Sequence, residues 1–82
     1  MKEKLLTYKG YLNNLFCFLD ATGKNVKFKK SRKELIENYH LLDGSNIGRT
    51  FLVKYFMVAE GDFDTYILSD LEFPKVVEEN DQ

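Results

Sequence analysis

Between Asn14 and Lys29 apolar residues recur at every second position on both sides of a short loop that carries Gly23. A period of two over paired runs is what strands with one buried face require, and a helix cannot bury it. Asn14 to Asp20 and Asn25 to Lys29 are therefore expected to form a β-hairpin, with Gly23 supplying the left-handed residue that closes the loop. The neighbouring segments extend this reading. Leu5 to Leu12 reads as a strand bent near Gly10, and Asn13 and Asn14 mark a turn. Arg49 to Ala59 and Phe63 to Leu71, rich in β-branched and aromatic residues, read as two further strands joined at Glu60, Gly61 and Asp62.

One window breaks the pattern. Ser31 and Glu34 have capping-box spacing, Leu35, Ile36 and Tyr39 supply an apolar stripe, and Asp43 with Gly44 provides a stop. A helix of about two turns is expected, with a cap at Ser31 whose removal costs about 0.5–2 kcal/mol. Pro74 ends the regular structure, and 74–82 reads as an acidic, frayed tail on a single domain spanning 1–73. Composition agrees: at 82 residues, 44% hydrophobic and 15% aromatic, with only five Gly and one Pro, the chain is too short for two cores and too apolar for disorder.

Three strands, a helix and two strands in that order resemble the OB-fold, a five-stranded Greek-key barrel with its helix between the third and fourth strands. An SH3-like barrel or an α+β roll fits the same order. Gly10-Tyr11-Leu12-Asn13, the run from Ile47 to Tyr55 and the run from Tyr66 to Leu71 are also similar to recurrent segments of short bacterial proteins, a resemblance that implies no activity.

The chemistry-bearing residues are few. One Cys and one His exclude an internal disulfide and a His-rich metal site, and no cofactor is expected. Cys17 lies between two phenylalanines, as a small buried hydrophobe does, and nothing in the sequence joins it to His40 as nucleophile and base. Gly44 to Thr50 holds two glycines before Arg49 and Thr50, but the spacing, the missing Lys and the strand that follows all depart from a phosphate-binding loop. Asp62 and Asp64 lack the ligand series of a calcium loop. An enzyme is not expected. Lys2 and Lys4 precede no continuous apolar stretch, and the longest apolar run, Leu15 to Leu19, is far below the ~20 residues of a membrane span, so a cytoplasmic protein without membrane contact is expected.

Charge divides the chain. Residues 1–42 carry nine Lys and Arg against four acids; residues 43–82 carry three against nine. Six cations fall in the run Lys24, Lys27, Lys29, Lys30, Arg32 and Lys33. A four-residue loop from Ala21 to Lys24 places Phe18 opposite Lys27 and Cys17 opposite Phe28, so that Leu15, Cys17, Leu19, Val26 and Phe28 enter the core. Phe16, Phe18, Lys27 and Lys29 then form an outward ladder of rings and cations, continued by Lys30, Arg32 and Lys33. Single-stranded nucleic acid binds such ladders, bases stacking on rings and cations meeting phosphates. In the competing register both rings face inward and the lysines only solvate an edge strand. A surplus of apolar residues on both faces of the fourth strand (Leu52, Phe56 and Val58 on the second) suits a protein partner or a covered strand.

The expected function is thus non-catalytic: stoichiometric binding of nucleic acid or a nucleoprotein. The alternative is a small inhibitor of phage or mobile-element type, anti-CRISPR-like, that binds a host nuclease or another defence protein directly.

Overall fold

The structure, a computed structural model, describes residues 1–61 and 63–74. The expected turn at Asp62 and the expected frayed tail from Lys75 lie outside the described residues.

Strand β1 (Lys2–Leu12) begins the sheet and bends where Gly10 enters a bulge against the next strand. Gly10 has φ +118, and a Cβ there would stand 3.3 Å from Ile47 Cδ1, so both conformation and space call for glycine. Asn13 and Asn14 both adopt positive φ, 52° and 64°, the two-residue turn whose twist matches an antiparallel hairpin. Strand β2 (Leu15–Leu19) follows, then β3 (Asn25–Phe28).

The β2–β3 register differs by one residue from the expectation. Leu19 pairs with Asn25, Phe18 with Val26, Cys17 with Lys27 and Phe16 with Phe28. The loop is five residues long because Asp20 organises it: its Oδ1 accepts hydrogen bonds from the Thr22 amide (2.9 Å), the Thr22 hydroxyl (2.6 Å) and the Lys24 amide (2.9 Å). A shift of one exchanges the faces. Phe16 and Phe18 join Phe28 in the core, and Leu15, Cys17 and Leu19 take the other face, where Cys17 is still buried. The observed register lets the Phe18 ring pack against the Tyr8 and Phe28 rings, contacts that no residue of the Leu-Cys-Leu set can make.

After Lys29 the chain makes a two-residue strand, β4 (Lys30–Ser31), that the sequence pattern does not announce, so six strands replace the expected five. Helix α1 (Lys33–Asn38) then starts from Arg32, which adopts extended N-cap geometry without a side-chain cap. Ser31 is not the cap. Its backbone pairs with Leu68 in β6, and its hydroxyl donates to the Arg32 carbonyl. Ser31→Ala should therefore change stability by less than about 0.5 kcal/mol in urea unfolding, as at an ordinary surface site; a loss above about 1 kcal/mol would restore the capping role.

The helix also stops before Asp43. His40 takes φ +50 and the Leu41 amide donates back to the Ile36 carbonyl at 3.1 Å, a Schellman-type ending with His in the place usually held by Gly. Leu35 and Leu41 are buried beneath the helix, and the Tyr8 and Tyr39 hydroxyls donate to the Leu41 and Leu71 carbonyls. These bonds fasten α1 over one end of the sheet.

Strands β5 (Thr50–Glu60) and β6 (Phe63–Glu72) complete the sheet in the order β3-β2-β1-β5-β6-β4. All neighbours are antiparallel except β4 and β6, which run parallel with Lys30 beside Ile67 and Ser31 beside Leu68. The two ends of this order are consecutive in the chain. Between them the Lys29 amide donates to the Tyr66 carbonyl at 3.0 Å. The core of this mainly β fold includes Leu6, Tyr8, Phe18, Phe28, Phe51, Val53 and Leu68, all nearly inaccessible. Among the described residues no helix is long and apolar enough to cross a membrane.

Candidate functional site

The expected ring-and-cation ladder does not form. Phe16 and Phe18 are buried, Phe18 between the Tyr8 ring at 4.9 Å and the Phe28 ring at 5.4 Å, so neither offers a face to a base. Of the cations expected beside them, three have carboxylate neighbours. Lys29 Nζ lies 3.4 Å from Glu60 Oε1, Arg32 Nε 3.8 Å from Glu34, and Lys33 Nζ 4.0 Å from Glu37. The Thr65 hydroxyl, at 2.8 Å, and then Lys29 hold the Glu60 carboxyl below the usual carboxylate range. Lys30 and Lys27 are exposed without an ion-pair partner among the described residues.

Lys27 belongs to a different assembly. Upstream of the Lys29–Tyr66 hydrogen bond the parallel ladder is not continued: Asn25–Phe28 pair with β2 alone, and no backbone bond joins them to β6 among the described residues. The wedge between β3 and β6 is a solvent-open cleft of about 290 Å³, lined by Val26 and Lys27 from β3, Tyr66 from β6, Tyr55 from β5, Lys4 from β1, and Asp20, Lys24 and Asn25 from the adjoining loop and strand end. It lies away from α1. Phe51 packs on Tyr39 near the helix, whereas Tyr55 is four residues, roughly 13 Å, further along β5.

The cleft combines rings and charge. Tyr55 and Tyr66 meet edge to face with centroids 5.6 Å apart, and Tyr55 continues into the core through Phe28 at 5.2 Å. Lys4 comes from β1, Lys24 and Lys27 from the run that opens β3, and none has an ion pair among the described residues. The one carboxylate, Asp20, is held below the usual range chiefly by the Thr22 hydroxyl and the Lys24 amide, so it stays ionised as the organiser of its loop. Charge density along the sequence points to Lys24 and Lys27 but not to Lys4, Tyr55 and Tyr66. No local signal marks these three, because only the β1–β5 and β5–β6 pairings bring them together.

The other expected features occupy ordinary places. Cys17 Sγ lies 3.6 Å from the Leu15 carbonyl, His40 Nδ1 lies 3.5 Å from Asp43 Oδ2, and no hydrogen bond joins the two side chains. Gly44 to Thr50 is a connection stitched to β1, the Gly48 amide donating to the Tyr8 carbonyl and the Tyr8 amide to the Arg49 carbonyl, each at 2.8 Å. On β5, Phe51, Val53 and Tyr55 are buried, whereas Met57 is exposed along with Phe56. Pairing with β1 ends at Tyr55, which leaves both beyond its cover. No group of three potential metal ligands occurs among the described residues.

Comparison with known protein families, with curated proteins and with solved structures finds no match to this chain, and the resemblance to short bacterial proteins gains no support from them.

Proposed function

We propose that the protein is a non-catalytic binding module for single-stranded nucleic acid, built on an OB-type barrel. One observation carries the binding reading: Lys4 from β1 and Lys24 and Lys27 from the start of the β3 segment, without ion pairs among the described residues, border one cleft with two tyrosines. Unpaired cations held together repel one another, and a polyanion relieves that repulsion while releasing its own counterions. Lys30, exposed just past the cleft, extends the path along β3 and β4, with Lys29, Arg32 and Lys33 reachable by exchange of weak surface pairs. The barrel reading rests on the segment Asn25–Ser31, which serves β2 at its start and β6 at its end, the parallel β4–β6 ladder and the Lys29–Tyr66 bond being the contacts an OB-type closure uses.

Salt tests the proposal. A fluorescent ten-nucleotide oligothymidine or oligouridine should bind more weakly as salt rises, and Lys24→Gln with Lys27→Gln should flatten the log–log dependence by about 0.7 for each phosphate no longer neutralised. Phe18 should have no part in binding beyond its part in folding. If no oligonucleotide binds at low salt, where electrostatic attraction is strongest, the nucleic-acid reading fails and direct binding to a protein target takes its place.

A further inference from the structure

We propose that the cleft between β3 and β6 is a phosphomonoester pocket that holds a single nucleotide by its terminal phosphate. The claim leans on the nucleic-acid reading only for the source of that nucleotide, a strand end or a free mononucleotide.

Four observations converge. The first is size. At about 290 Å³ the cleft sits at the low end of small-ligand pockets, room for one nucleotide-sized group and not for a folded strand. The second is charge. Lys4, Lys24 and Lys27 border the cleft against one carboxylate, the ionised Asp20, and this excess of cations favours the dianion of a phosphomonoester over the single charge of a backbone diester. The third is a hydroxyl left for a ligand. Tyr55 lines the cleft, and its hydroxyl has no hydrogen-bond partner among the described residues, whereas Tyr8 and Tyr39 each donate to a carbonyl. A phosphate oxygen entering the solvent-open cleft can accept from it. The fourth is the rest of the lining. The half-buried Tyr66 presents ring surface to a flat group, and the exposed Asn25 carries an amide able both to donate to and accept from a base edge. The cations are all lysines, point charges suited to a phosphate, without the arginine forks that phosphopeptide sites use, and this favours a nucleotide over a phosphorylated protein segment.

Calorimetric titration of the full chain tests the pocket with uridine 5′-monophosphate, uridine and inorganic phosphate, and with a ten-nucleotide strand ending in 5′-phosphate or 5′-hydroxyl. The monophosphate should bind at least about tenfold more tightly than uridine. Its affinity should fall several-fold from pH 7.5 to 5.0, because the second phosphate proton (pKa about 6) returns while the lysines stay charged; the hydroxyl-ended strand should show no comparable fall. Lys24→Gln and Tyr55→Phe should each weaken the monophosphate about three- to tenfold, with circular dichroism confirming an unchanged fold. Tighter binding of the phosphorylated strand than of the mononucleotide identifies a strand end; equal binding identifies a free nucleotide, and both support the pocket. Equal affinity for the two strand ends overturns the pocket and leaves strand binding standing. Monophosphate binding without strand binding does the reverse. A phosphotyrosine peptide that binds more tightly than the nucleotide, or no detectable binding of the monophosphate at 10 mM, also overturns it.

Discussion

Phe18→Ala should destabilise the protein by about 3–5 kcal/mol, the usual loss when a fully buried ring is truncated and its cavity only partly collapses. Its ring stands between Tyr8 and Phe28 and is wholly inaccessible. Since small domains have total stabilities of only about 5–15 kcal/mol, the loss is a large share of the total and should bring the urea midpoint down sharply. Lys27→Ala, in the neighbouring strand and exposed, should cost less than about 0.5 kcal/mol. Urea unfolding of both decides the register of the hairpin: in the shifted register Phe18 is a surface residue, and its truncation would cost under about 1 kcal/mol.

The second large effect is alkaline. Burial pushes the Tyr8 phenol up to about 12, with Cys17 and Tyr11 adding to the rise. Below pH 10 the phenol is neutral in folded and unfolded chains alike, and its contribution is fully present. Between pH 10 and 12 only the unfolded chain loses the proton, so stability falls as pH rises, by about 2–3 kcal/mol over the window. Tyr8→Phe should remove that part of the pH dependence, while costing about 1–3 kcal/mol at neutral pH because the Leu41 carbonyl loses its buried donor. Unfolding at pH 9 and pH 11.5 separates the cases. Equal losses in wild type and variant would assign the alkaline sensitivity to other groups.

What is legible in the sequence is local geometry. Gly10 announces the bend of β1, the Asn13-Asn14 pair announces a two-residue turn, and the strand expected between Asn14 and Asp20 forms as Leu15–Leu19. The register turns on a single loop residue. Asp20 has the look of a last paired position, but an Asp two residues before Thr and four before Lys can take up the hydroxyl and both amides, drawing itself into the loop. Ring packing is a better guide than charge: Lys27 and Lys29 do stay in solvent, but a ring at position 18 meets Tyr8 and Phe28, and each Phe has more area to bury than a Leu or a Cys. The helix is displaced for a related reason, since backbone pairing of Ser31 with β6 outweighs its side chain's preference for a cap, and a two-residue ladder has no pattern to read. The cleft is half legible because charge density is a property of one segment, while the meeting of Lys4, Tyr55 and Tyr66 is a property of the topology.

The junction at Lys29 has a kinetic meaning. The hairpins β1–β2–β3 and β5–β6 hold mostly near-neighbour contacts and can form early, but Lys30 and Ser31 find Ile67 and Leu68 only after closing a loop of 37 residues. That loop contains α1 and the whole of β5, so neither half of the chain can complete the ladder without the other. With the β1–β5 ladder, whose partners stand 43 to 53 residues apart, this closure gives the chain a high contact order, so its folding should be slow for its length, and a fragment ending before β6 loses both the β4–β6 and the β5–β6 ladders.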